Sequence, residues 1–144
     1  MKILLYVFII FAVITSGNKK NFTENEHVKI EAQFPEKLTP SKTGAIVFSF
    51  APNSGIHVNT APMFELVLDK KSLFETDGIP RFQKNDKGYL AAEKPVEFSV
   101  KVKKGTAIGK HHLKGSLRYF FCSDKDGWCN RYSQPFDVTI ELTK

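Results

Sequence analysis

The sequence predicts an all-β fold, a two-layer antiparallel sandwich, and three observations carry that prediction. Apolar residues alternate with polar ones in run after run, no stretch shows a helical period, and Gly- or Pro-containing turn signals separate the runs at short intervals. Period-two alternation is what a strand needs when one face lies in a core and the other in water.

The elements follow in chain order. Lys2 precedes an apolar run over residues 3–14, short for a bilayer span but suited to the central region of a signal peptide, and Thr15, Ser16 and Gly17 offer small residues for cleavage. Residues 1–17 therefore read as a signal peptide, with an uncleaved membrane anchor as the alternative. Residues 18–25 read as a polar N-terminal tail, and residues 26–144 as one domain, long enough to bury a core without help from disulfides.

Within that domain Val28, Ile30, Ala32 and Phe34 alternate with Lys29, Glu31 and Gln33. Ile46, Phe48 and Phe50 mark a second strand, residues 56–59 a third, and Phe64, Leu66 and Leu68 a fourth. Val96, Phe98, Val100 and Val102 form the cleanest alternation, and residues 113–122 and 136–142 complete the set. Pro52-Asn-Ser-Gly55, Asp77-Gly78, Asp86-Lys-Gly88, Lys104-Gly105 and Asp126-Gly127 supply the turns. About seven short strands with this punctuation and no intervening helix indicate an immunoglobulin-like antiparallel β-sandwich. Its least regular segment, residues 76–94, is expected to contain a loop that folds over something.

The formal charge of +6 is spread over strand faces and turns, and Lys70-Lys71 and Lys103-Lys104 are its densest points. Nucleic-acid binding calls for a basic stripe interleaved with exposed aromatics, whereas the aromatics here fall on core faces, so no nucleic-acid partner is expected. The basic excess reads as solubility and mild attraction to acidic partners or membrane surfaces.

Cys122 and Cys129 are the only cysteines and flank one turn, Ser123-Asp-Lys-Asp-Gly-Trp128. They cannot tie two sheets together as in antibody domains, but a hairpin would set them opposite each other within reach of a disulfide. Such a bond is either a staple or a redox group. As a staple it closes a short loop, worth about 2.5 kcal/mol in the chain-entropy account. As a redox group it would need an accessible sulfur and nearby positive charge, which Arg118, Lys125 and Arg131 offer and Asp124 and Asp126 oppose. The residues alone leave both readings open.

Other chemistry-bearing residues have plainer readings. His57 reads as a structural histidine, with buffering of the thiols as its functional alternative. His111 and His112 are chain neighbours that point to opposite strand faces, and Asp124-Lys-Asp126-Gly127 lacks the downstream glutamate of a calcium loop, so no metal site is assigned. Trp128 is either a core residue or an exposed contact beside the reactive sulfur.

The stretch Leu117-Arg-Tyr-Phe-Phe-Cys122-Ser-Asp-Lys-Asp-Gly-Trp-Cys129, followed by Gln134-Pro-Phe-Asp-Val-Thr-Ile140, resembles the signature of the N-terminal periplasmic domain of DsbD-type thiol:disulfide interchange proteins. Gly55-Ile-His-Val-Asn59 is similar to that family's other recognisable segment. The resemblance implies an immunoglobulin-like domain in the periplasm whose cysteines cycle between dithiol and disulfide. It would pass reducing equivalents between thioredoxin-like periplasmic proteins without a metal or organic cofactor, as a component of a protein-disulfide reductase system. By position Cys129 matches the cysteine that forms the mixed disulfide, and Cys122 its partner. A cap loop would correspond to residues 82–89, which include Phe82 and Tyr89, and His57 and Asn59 match positions on the active-site surface. Asn130-Arg131 stands where prolines often follow the second cysteine. The membrane electron-transfer part would come from a separate protein. The rival expectation is a non-catalytic, secreted β-sandwich binding module whose disulfide is structural.

Overall fold

The computed structural model describes residues 17–144. The leader lies outside the described residues except for Gly17. Among the described residues no helix is long and apolar enough to cross a membrane.

Among the described residues ten strands form two sheets that pack face to face: β1 (Gly17–Phe22), β2 (Val28–Pro35), β3 (Lys37–Leu38), β4 (Thr43–Pro52), β5 (Ile56–Val58), β6 (Glu65–Leu68), β7 (Phe74–Thr76), β8 (Val96–Val102), β9 (Gly109–Ser123) and β10 (Cys129–Leu142). The first sheet has the order β1-β2-β4-β8-β7, and the second β3-β10-β9-β5, with β6 also pairing with β9. The molecule is thus an all-β sandwich, compatible with the immunoglobulin-like class. The second sheet is mixed, because Lys37 and Leu38 pair in parallel with Glu141 and Leu142. Of the polar N-terminal segment 18–25, residues 18–22 belong to β1, which pairs with β2 from Gly17↔Pro35 to Phe22↔Ile30.

The alternation in the sequence becomes the core directly. Val28, Ile30, Ala32 and Phe34 of β2, Ile46, Phe48 and Phe50 of β4, and Val96, Phe98, Val100 and Val102 of β8 are all buried. From the other sheet Leu113, Leu117, Tyr119 and Phe121 of β9 and Phe136, Val138, Ile140 and Leu142 of β10 close on them. Two aromatic groups bridge the layers. Phe136 lies 5.2 Å from Phe34 and 6.3 Å from Phe48, and Phe50 meets Tyr119 edge-on at 5.2 Å. Burial of this apolar surface is the main stabilising term.

β9 is the strand on which the second sheet is organised. Along one edge it pairs with β10 in a long hairpin running from Cys129↔Cys122 to Leu142↔Gly109. Along the other it carries β6 opposite residues 115–118 and β5 opposite residues 121–123. Gly115 makes the β6 contact possible. A Cβ there would sit 2.5 Å from the Val67 carbonyl oxygen and 2.9 Å from the Phe136 ring.

The remaining edge of β10 is guarded from the opposite sheet. Asn18 Nδ2 donates to the Thr139 carbonyl at 3.0 Å and Lys20 Nζ to the Asp137 carbonyl at 2.8 Å. Pro135, in the same strand, has no N–H to offer.

Candidate functional site

The cysteines lie at the open end of the β9–β10 hairpin. Ser123 N–H donates to the Trp128 carbonyl at 2.9 Å, and Gly127, with φ of 68°, turns the chain between them. The Ser123 hydroxyl accepts the Asp126 N–H at 3.1 Å and donates to the Asp126 carboxylate at 3.2 Å. With Ser123 and Trp128 bonded across the ladder, the next pair, Cys122 and Cys129, occupies a position where strands approach most closely. Their Cα atoms are 4.0 Å apart, closer than most disulfides place them, and a disulfide joins them.

The two sulfur-bearing residues live in different surroundings. Cys129 is exposed at the start of β10. Cys122 is only 6% exposed, although alternation turns it away from the core on which Tyr119 and Phe121 face. Neighbouring chain closes over it on that outer side. His57 of β5 is its cross-strand partner. Asn59 follows β5, is held by its own N–H to the Phe120 carbonyl at 2.8 Å, and reaches back so that Nδ2 donates to Cys122 Sγ at 3.3 Å.

The loop of residues 82–89 packs over this corner. Asn85 orders its tip, because Oδ1 accepts the N–H groups of Lys87 at 3.0 Å and Tyr89 at 3.1 Å. The Asn85 N–H donates to the Tyr89 carbonyl at 2.8 Å, and Gly88 takes φ of 81°. The base is fastened by Leu90 N–H to the Val58 carbonyl at 2.9 Å, and the side by Thr60 Oγ1 to the Gly88 carbonyl at 2.7 Å. Tyr89 is thereby laid flat on His57, with ring centroids 3.6 Å apart and planes 18° from parallel.

Beneath Tyr89, His57 Nδ1 lies 2.7 Å from an Asp124 carboxylate oxygen. That carboxylate stands out of line with the ring nitrogen, so the two are within ion-pair range while Nδ1 has no aligned hydrogen-bond partner. Asn59 Oδ1 is likewise buried without a partner. His57, Asn85, Asp86, Lys87, Tyr89 and Asp124 line an open cleft of about 350 Å³ beside the cysteines. Larger hollows of about 580 and 670 Å³ are lined by residues of β7 and β8 and of β2 and β4, and neither touches a cysteine.

Of the residues singled out from the sequence, His57, Asn59 and Tyr89 thus gather with the disulfide, and Phe82 and Trp128 do not. Phe82 packs edge-on against Phe64 at 5.2 Å and roots the loop in the core. Trp128 lies on the opposite side of the hairpin, half-buried against Phe121 at 5.9 Å and His27 at 5.0 Å, where it closes the end of the core. Arg118 is engaged by Glu65 at 3.1 Å, whereas Lys125 and Arg131 make no ion pair among the described residues. Sequence reasoning passed over Thr60 and Asn85 and gave Asp124 no partner. Only Asn85 left a local signal, in the Asn85-Asp-Lys-Gly88 turn pattern.

No metal-binding group of three or more His, Cys, Asp or Glu side chains occurs among the described residues. What the arrangement offers chemically is a disulfide with one exposed and one covered end. Comparison with protein-family models, with curated proteins and with solved structures gives no match.

Proposed function

We propose that this domain exchanges disulfides with thioredoxin-fold partners through Cys122 and Cys129, in the periplasm. The observation that carries the reading is the asymmetry of the pair: Cys129 is open to an incoming thiol, while Cys122 is covered and holds a hydrogen bond from Asn59. A staple needs no such division. The resemblance of the cysteine hairpin to DsbD-type N-terminal domains supports the same reading and supplies the partner class.

In the reductive half, a thiolate of a partner dithiol attacks Cys129 Sγ, forming a mixed disulfide, and the electron pair of the broken S–S bond leaves on Cys122. The partner's second thiol then displaces Cys129 and departs as a disulfide. In the second half Cys129 thiolate attacks a substrate disulfide, and Cys122 resolves the mixed species and releases a dithiol. Two electrons and two protons move in each half, and the chemistry uses no metal or organic cofactor. A separate membrane protein would reduce the thioredoxin-like donor.

The burial of Cys122 favours a second reading, a non-catalytic binding module with a structural disulfide. Trapping separates the two. Cys122→Ala, with Cys129 left free, is expected to accumulate mixed disulfides with thioredoxin-like proteins in the periplasm, and Cys129→Ala is not. A wild-type disulfide with a reduction potential below about −300 mV, together with no trapped partner, would establish the staple.

A further inference from the structure

We infer that Asn59 is a catalytic residue of this exchange, its side-chain amide stabilising the thiolate that leaves on Cys122 and so directing attack to Cys129. The inference rests on the exchange reading above and adds what decides the polarity of the bond.

The geometry provides one side-chain hydrogen bond to the pair among the described residues. Asn59 Nδ2 lies 3.3 Å from Cys122 Sγ. A disulfide sulfur is a weak acceptor, and a thiolate is a strong one. The interaction therefore grows as the S–S bond breaks toward Cys122, which is the condition for lowering a barrier and not merely binding the ground state. Attack at Cys122 would expel the electron pair onto Cys129, which lies in the open with no such donor. The amide thus works with accessibility to select the sulfur attacked.

The donor is also held in place through the cycle. Its backbone N–H is bonded to the Phe120 carbonyl, two residues before Cys122 on the same strand, so opening the disulfide does not release it. The Oδ1 atom of the same amide is buried without a partner, a cost tolerated at the one place where the other end of the group meets a reacting atom. The other titratable or charged groups around Cys122 are His57 on β5, Asp124 after β9, Tyr89 and the exposed Asp86 and Lys87 in the overlying loop, Arg131 on β10 opposite Phe120, and Cys129 itself. Asp124 disfavours a nearby thiolate, and Arg131 is exposed to solvent, so neither replaces the amide.

In balanced form, a partner thiolate forms an S–S bond to Cys129 Sγ as the Sγ–Sγ bond breaks. Cys122 Sγ takes the electron pair, accepts the Asn59 N–H, and is later protonated. The reductant is the partner dithiol.

The test compares Asn59→Ala and Asn59→Asp with the parent. Thiolate absorbance of Cys122, in the phosphine-reduced full chain carrying Cys129→Ser, gives its titration midpoint. Asn59→Ala is expected to raise that midpoint by about one pH unit. Asn59→Asp, nearly the same shape with a carboxylate in place of the donor, is expected to raise it further. A carboxylate repels the thiolate whatever the amide does, so Asn59→Ala decides: an unmoved midpoint in that variant overturns the inference. In the two-cysteine chain, glutathione is expected to add at Cys129, about tenfold more slowly in Asn59→Ala, with a larger share of adduct at Cys122 by mass spectrometry. A parent disulfide that glutathione cannot open sinks the exchange reading itself. That failure is distinguishable, because the Cys122 titration does not depend on exchange.

Discussion

His57 and Tyr89 are stacked at 3.6 Å, and this ring pair lays the side of the loop of residues 82–89 on the strand that faces Cys122. A stacked aromatic contact of this type contributes about 1 kcal/mol beyond its buried area. The other fastenings of the loop are backbone bonds at its base and within its tip, the Asn85 and Thr60 side-chain bonds, and the packing of Phe82. The side chain of Tyr89 is what turns an ordered loop into a cover.

Tyr89→Ala should therefore leave the domain folded and uncover Cys122. Thiol attack at Cys122, read by mass spectrometry of glutathione adducts, is expected to rise roughly fivefold, the equivalent of about 1 kcal/mol, with a small loss in thermal midpoint. An unchanged share of adduct at Cys122 would show that the ring does not shield the sulfur.

Tyr119 yields a prediction at alkaline pH. Burial pushes its phenol up from the ordinary tyrosine range, and the hydrogen bond that Asn25 donates to its oxygen at 2.9 Å opposes that shift without cancelling it. A raised folded value means the folded state keeps a proton that the unfolded state gives up. The stabilisation is complete below the unfolded value, about 10, and is lost as pH rises toward the folded one. Urea midpoints should fall above about pH 10 in the wild type and less in Tyr119→Phe. At neutral pH Tyr119→Phe should cost about 1–2 kcal/mol, since Asn25 Nδ2 loses its acceptor inside the protein.

Asp137 gives the acid limb. His112 Nδ1 at 2.8 Å and Lys114 Nζ at 3.1 Å hold its carboxyl below the usual aspartate range, the histidine bond being the larger cause. For a depressed value the contribution is present above the unfolded pKa, near 3.9, and disappears as pH falls through the folded one. Between pH 5 and 2 the wild type should lose more stability than Asp137→Asn in parallel urea titrations. Because the site is open to solvent, the difference is expected to shrink in added salt.

Gly115→Ala probes the close approach of β6 to β9. The new methyl group would meet the Val67 carbonyl and the Phe136 ring, and β6 must shift to admit it. A loss of about 1–3 kcal/mol is expected in chemical denaturation, with faster amide exchange along β6. A variant as stable as the wild type would mean that the pairing of β6 yields without cost.

What the sequence made legible followed from period and length. β2, β4 and β8 each set three or four apolar residues on one face, and this pattern survives whatever the strand pairs with. β3 and β7, two and three residues long, are too short to show a period at all. β1 was hidden for another reason. Asn18-Lys-Lys-Asn21 has no apolar face, and its place in the sheet comes from pairing with β2 and from bonds to β10. The parallel β3–β10 pair joins distant parts of the chain, a relation that alternation does not encode.

The site divides in the same way. The cysteine turn could be read because its residues are contiguous, and Gly127 takes the positive φ that its place in the turn required. The side of the hairpin on which Trp128 falls was not fixed by the turn. It depends on His27, which approaches from the other sheet's first hairpin. The pairing of His57 with Asp124 depends on β5 settling against β9, a long-range event with no mark in either local sequence.

The side chains that reach from β1 to β10 have a consequence for association between molecules. An open strand edge is a template on which another chain can zip, and β10 has no strand along its outer edge except where β3 joins it. Asn18 and Lys20 occupy two of its carbonyls, Pro135 interrupts the donors, and β3 takes the last two residues. The polar N-terminal strand thus acts as a guard for a sheet it does not belong to. Shortening the chain at that end would be felt first as a tendency of copies to join edge to edge, before any loss of the core.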